Sequence, residues 1–135
     1  MVPPGSVGRN LAVFRAAGRT LFSFGLVKGS EGNLSTFDGS SLVITRTGAK
    51  LAALASPDLM DGPIGGGWSG ASTDLEVHRS MYAEQGAGAI AHCHPAGTVP
   101  EGGGGPGAHG LYEFGATLEA AAAGCVRRAR GGRPG

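Results

Sequence analysis

The chain has 135 residues, room for one domain of the common size of about 100 to 150 residues, and two independent cores are excluded. Its 27 Gly and 8 Pro bring it near the composition of unpatterned disordered chains, but 41% of the residues are apolar and the glycines concentrate at 62–70, 102–107 and the tail. A formal net charge of +1, from 11 basic and 10 acidic residues, supplies no field to draw it to nucleic acid or to an anionic membrane, so a small or locally bound ligand is the expected partner.

From Ser6 to about Phe24, Leu11, Phe14, Ala17, Leu21 and Phe22 recur at spacings of three or four, the pattern of an amphipathic helix with Gly25 as its stop. Lys28-Gly29-Ser30-Glu31-Gly32-Asn33 is too rich in turn formers for an element interior. The short runs 33–37 and 41–46, on either side of Asp38-Gly39, predict a β-hairpin. Residues 47–70 combine a Thr-Gly turn, Ser56-Pro57-Asp58 and a glycine-rich end at Trp68, and little regular structure is expected there. Thr73-Asp74-Leu75-Glu76 matches a capping box ahead of Leu75, Val77, His78, Met81 and Tyr82, which predicts a helix over 73–85.

Ala87 to Cys93 is a small-residue apolar run closed by His94-Pro95, of a length suited to a buried strand. Residues 99–110 cannot build a core, Leu111, Tyr112 and Phe114 predict a short strand, and Thr117 to about Arg128 predicts a last helix. One domain over 1–130 and a flexible tail at 131–135 are expected. The apolar runs fall well short of the roughly 20 residues that cross a bilayer, and Met1-Val2-Pro3-Pro4 lacks a secretory start, so no membrane association and a cytoplasmic location are expected. In that setting Cys93 and Cys125 read as free thiols.

The candidate metal donors and the candidate catalytic carboxylate fall in the second half, and two of the candidate binding turns fall in the first. His92 and His94 are two apart on a predicted strand, so both rings emerge on one side while Cys93 points to the other. That spacing suits chelation of a metal, and it equally suits a polar strand end. His109, followed by Gly110 that permits close backbone approach, is the third available donor, and the intervening chain is long enough to fold back. Asp74 and His78 share one helix face, where the carboxylate either faces a site or serves the positive end of the helix dipole. Ser72-Thr73 at the same helix start offers hydroxyls and unpaired N–H groups to an anion. Gly32-Asn33 and Thr47-Gly48 pair a glycine with a polar side chain, a combination that ordinary turns also explain. The Arg127, Arg128, Arg130 and Arg133 cluster reads as a solvated helix end.

Taken in order, Gly25 to Ser35 (GLVKGSEGNLS), Leu42 to Gly48 (LVITRTG), Ser72-Thr73-Asp74 with His78 and Tyr82, His92-Cys93-His94-Pro95, and His109-Gly110 ahead of Gly115 and Thr117-Leu118-Glu119-Ala120 resemble the class II aldolase/adducin family over most of residues 10–125. The resemblance implies an α/β fold, three-layer α/β/α with a central, largely antiparallel sheet, here shortened between the His-x-His and His-Gly motifs. It also implies His92, His94 and His109 as ligands of zinc, or of another divalent ion such as Mn2+, with Asp74 standing where the family usually has a catalytic Glu. Gly32, Asn33, Thr47, Gly48, Ser72 and Thr73 would hold the phosphate of a small phosphorylated sugar or aldehyde. The implied activity is that of a zinc-dependent aldolase, a lyase that makes or breaks a carbon–carbon bond through a metal-stabilised enediolate, in a homotetramer. An epimerase or dehydratase acting on a sugar phosphate, or a non-catalytic adducin-like assembly module, are the alternatives.

Overall fold

The computed structural model describes residues 4–65, 74–95 and 110–131. Helix α1 (Pro4–Ser23) buries Phe14, Ala17 and Leu21 on the stripe their spacing predicts, whereas Phe22 turns outward and is exposed. It ends as expected at Gly25: the Gly25 N–H donates to the Phe22 carbonyl and the Leu26 N–H to the Leu21 carbonyl, a Schellman pair that satisfies two of the last orphan acceptors. Leu26 and Leu21 then share the same core.

Five strands follow: β1 (Asn33–Phe37), β2 (Ser41–Thr45), β3 (Leu59–Pro63), β4 (Gly88–Cys93) and β5 (Leu111–Gly115). They form one sheet in the order β3-β2-β1-β4-β5, and each neighbouring pair is antiparallel. The hairpin forms where the sequence predicts it, with the Asp38 carboxylate accepting from the N–H groups of Ser40 and Ser41.

Strand β3 corrects the expectation that 47–70 holds little regular structure. Leu-Met-Asp-Gly-Pro carries three residues that disfavour strands and has no clean alternation, so its own sequence does not announce it. It pairs along its full length with β2, from Thr45 opposite Leu59 to Ser41 opposite Pro63. The template decides here: β3 is an edge strand, where a proline without an N–H costs no interior ladder bond. Two single turns of 3-10 helix at Leu51–Ala53 and Ser56–Asp58 lead into it, and Arg46 holds the second by an ion pair with Asp58 at 2.8 Å.

Helix α2 (Leu75–Gln85) covers one face of the sheet, and α1 and α3 (Leu118–Gly131) cover the other, giving three α/β/α layers. The α1/α3 side is apolar: Phe14, Leu21, Leu34, Leu51, Ala91, Cys93, Leu118, Ala121 and Cys125 form one buried cluster. The α2 side mixes Leu42, Ile44, Leu75, Tyr82 and Ile90 with buried polar residues. Thr117 opens α3, its hydroxyl accepting from the Ala120 N–H at 3.1 Å. Cys93 and Cys125 are free and buried, as expected, and each thiol is the other's neighbour; that contact and burial push the Cys125 thiol up. No helix among the described residues is long and apolar enough to cross a membrane.

Candidate active site

The antiparallel register brings the start of β1, the end of β4 and the start of β5 to one end of the sheet. Asn33 stands opposite His92, and His92 opposite Tyr112. Because side chains alternate, these three share the α2 face with Ser35 two residues further along β1. Two glycines permit the tight approach there. A Cβ on Gly32 (φ +83°) would lie 2.9 Å from the His92 carbonyl oxygen and 2.7 Å from a Val27 methyl. One on Gly110 (φ +146°) would lie 2.3 Å from the Cys93 carbonyl oxygen and 3.0 Å from the His92 ring. The close approach read for Gly110 is therefore real.

His92 is completely buried. Its Nδ1 lies 2.9 Å from the Leu111 carbonyl oxygen. A carbonyl only accepts, so Nδ1 carries the proton and Nε2 presents its lone pair. His94 follows immediately after β4, its N–H donating to the Leu26 carbonyl, and its ring turns to the same side as His92 with centroids 4.7 Å apart. The two Nε2 atoms are 3.1 Å apart. Two Zn–N bonds of about 2.0 to 2.1 Å at a tetrahedral angle place their nitrogens about 3.3 Å apart, so this pair fits a zinc-like ion, and the backbone-held Nδ1 of His92 is the outer partner such a ligand needs. Among the described residues no group of three His, Cys, Asp or Glu side chains completes a metal cage. His109, the third donor the sequence offers, lies outside the described residues, as do Ser72 and Thr73.

Asp74 immediately precedes α2, which starts at Leu75 rather than at 73, and its carboxylate makes no capping bond to the helix. It turns to the sheet instead: Oδ2 accepts from Asn33 Nδ2 at 2.7 Å and lies 3.5 Å from His92 Nε2. Asp74 and His78, one turn apart, meet through Asn33, whose Oδ1 faces His78 Nε2. Burial, with a smaller contribution from neighbouring His92, holds His78 down to about 3, so it is a neutral imidazole.

The sequence assigns no role to two participants, Tyr112 and Ser35, although Ser35 closes the GLVKGSEGNLS stretch. Tyr112 stacks on His92, with ring centroids 3.9 Å apart and planes 12° from parallel. Burial and the neighbouring Asp74 carboxylate keep its phenol protonated far above neutral pH. Ser35 bonds both His78 Nδ1 (2.6 Å) and the Tyr82 hydroxyl (2.8 Å). The signals that would have found them are positional: Ser35 is two residues from Asn33, and Tyr112 is opposite His92 once the strands are paired.

The contacts thus gather Asn33, Asp74, His92 and His94, with Gly32 packed against the His92 backbone. Thr47 and Gly48 stand in the exposed turn after β2, at the same end of the sheet. A separate open groove, lined by Val13, Val43, Leu59 and Ala116 among others, runs along the opposite face of the sheet and includes none of these residues.

Residues 12–100 match the class II aldolase and adducin N-terminal domain. A solved L-fuculose-1-phosphate aldolase from Thermus thermophilus is similar over 66% of this chain and 47% of its own, with 38% identity and a TM-score of 0.61. A 5-methylthioribulose-1-phosphate/5-deoxyribulose-1-phosphate aldolase from Rhodospirillum rubrum is 36% identical over 88 residues, 62% of this chain and 40% of the relative. A probable bifunctional methylthioribose-1-phosphate isomerase/methylthioribulose-1-phosphate dehydratase from Nocardia farcinica is 29% identical over 85 residues, 58% of this chain and 15% of the relative. The chain belongs to the class II aldolase and adducin family, and it spans less than half the length of these three relatives.

Proposed function

We propose that this chain is a zinc-dependent lyase of the class II aldolase type, making or breaking a carbon–carbon bond in a small sugar phosphate. The observation that carries the reading is the Asp74 carboxylate 3.5 Å from His92 Nε2, an atom itself 3.1 Å from His94 Nε2. His92, His94 and His109 would hold the ion, with Mn2+ as the alternative to Zn2+, since imidazole suits several first-row metals. The chemistry a bound divalent ion supplies there is Lewis-acid stabilisation of negative charge on a substrate oxygen.

The chain's own residues supply the rest. Asp74 takes and returns the proton at the reacting carbon, and Asn33 holds its Oδ2 in place. An amide nitrogen carries two hydrogens; one of those on Asn33 is committed to Asp74, and the other is what it offers a phosphate oxygen. Gly32, Thr47, Gly48, Ser72 and Thr73 complete the proposed phosphate site, a set of turns and a helix start that anchors the substrate away from the reacting end. A cytoplasmic homo-oligomer, tetrameric as the resemblance implies, belongs to the same proposal, and the mass in solution tests it.

Metal analysis and an assay for dihydroxyacetone phosphate release test the reading. Stoichiometric divalent metal is expected, and Asp74→Asn is expected to lower turnover about 100-fold or more. A protein that binds no divalent metal, or an Asp74→Asn variant with unchanged turnover, rules the lyase out. The dehydratase name of the Nocardia farcinica relative supports a second reading, a dehydratase or epimerase on the same site, which product analysis separates. Asp74 in place of the family's usual Glu and the shortened stretch between His94 and His109 support the third, an adducin-like assembly module, which predicts no turnover with any sugar phosphate.

A further inference from the structure

A continuous run of hydrogen bonds leads from Asp74 into the interior. Asn33 Nδ2 donates to Asp74 Oδ2 at 2.7 Å, Asn33 Oδ1 faces His78 Nε2, His78 Nδ1 lies 2.6 Å from Ser35 Oγ, and Ser35 Oγ lies 2.8 Å from the Tyr82 hydroxyl. Asn33, Ser35, His78 and Tyr82 are each no more than 4% exposed, while the Asp74 side chain is 18% exposed, so the carboxylate is the outer end of the run.

The chemistry of the groups gives the run one direction. A carboxylate only accepts, so the Asn33 amide must turn its nitrogen to Asp74 and its oxygen to His78. That oxygen also only accepts, so His78 must carry its hydrogen on Nε2. A neutral imidazole then has a lone pair on Nδ1, which takes the Ser35 hydroxyl hydrogen, and Ser35 in turn accepts from Tyr82. Reversing the amide would set two acceptors face to face at Asp74. Sterically the two amide orientations are nearly equivalent, so its two partners, the carboxylate at one end and the imidazole Nε2–H at the other, distinguish them.

We infer that His78 is a positioning residue: its Nε2–H fixes the orientation of the Asn33 amide, and through it the place of the Asp74 carboxylate beside His92. The inference rests on Asp74 being the working carboxylate of the proposed function. His78 lies too deep to meet a substrate and acts only through Asn33. Burial supports the assignment by keeping the ring neutral, the state in which its two nitrogens differ.

Two substitutions of equal polarity separate positioning from mere satisfaction of a buried site. His78→Gln can return an N–H to the Nε2 position, whereas His78→Asn can return only the acceptor facing Ser35. Turnover within about threefold of the parent is expected for Gln, and a kcat loss of roughly 10- to 100-fold with little change in KM for Asn. Equal turnover in the two variants overturns the inference. Long-range proton–nitrogen NMR on the unmutated full chain supplies a readout independent of activity and of whether either variant folds. It should show the neutral Nε2–H tautomer of His78 and an Asn33 side-chain amide hydrogen-bonded to Asp74; an Nδ1–H tautomer or a cationic ring at neutral pH overturns the inference. Absence of turnover in the unmutated chain counts against the lyase alone, because the tautomer still decides the role of His78.

Discussion

The two faces of strand β1 are built on different rules. Leu34 faces α1 and α3 within a cluster whose members are apolar or thiol-bearing, whereas Asn33 and Ser35, its immediate neighbours, face α2 among His78, Tyr82, His92 and Tyr112. On the first face the requirement is volume: side chains must fill space, and which apolar groups do so is secondary. On the second it is pairing, since each buried donor needs an acceptor, and among the described residues no buried side-chain polar atom lacks a partner. The same strand serves both because alternate side chains never meet. Stability and chemistry are thereby separated by one peptide bond.

The sharpest way to break this contrast is to alter neighbours on one strand. Leu34→Ala leaves a cavity in the apolar face and should lower stability by about 2–5 kcal/mol in urea unfolding, with the His78 tautomer unchanged. A change in that tautomer would show that the two faces are coupled. Ser35→Ala removes almost no volume but strips a donor from His78 Nδ1 and an acceptor from Tyr82, so about 1–3 kcal/mol is expected, with the loss confined to the polar face.

The acid limb of stability sharpens the comparison further. The folded state holds His78 at about 3 where an unfolded histidine takes a proton near 6.5, so the unfolded chain binds more protons throughout that window. Stability from this residue is complete above 6.5 and falls as the pH drops toward 3, by up to about 1.4 kcal/mol per pH unit. Urea unfolding between pH 7 and 5 should show that slope, and His78→Gln should flatten it. An unchanged slope in the variant would place the acid sensitivity elsewhere.

Much of the architecture could be read from periodicity. The α1 stripe, the hairpin around Asp38-Gly39, the small-residue strand ending at His92-Cys93-His94 and the helix after Thr117 each rest on local spacing, and the structure forms each of them within a few residues of the expected bounds. The opposite orientation of Cys93 and the two flanking histidines follows from the same alternation. Strand β3 could not be read, because Asp61, Gly62 and Pro63 argue against a strand that exists only by pairing with β2. Spacing alone leaves Asp74 open between serving the helix start and facing a site, and only the packing of helix on sheet shows its carboxylate claimed by Asn33 rather than capping α2.

The amino-acid order by itself determined which residues are apolar at helical or alternate spacing, and which imidazoles, carboxylates and glycines are available. Those properties need only the chain's own geometry. The tertiary structure alone decided that Tyr112 stacks on His92, that Asn33 stands between Asp74 and His78, and that Ser35 joins His78 to Tyr82. Each of these contacts joins groups far apart in sequence, and its geometry depends on strand register and on how α2 lies on the sheet. A one-residue slip of β1 against β4 would turn Asn33 and Ser35 to the apolar face and dissolve the site while leaving every local propensity unchanged.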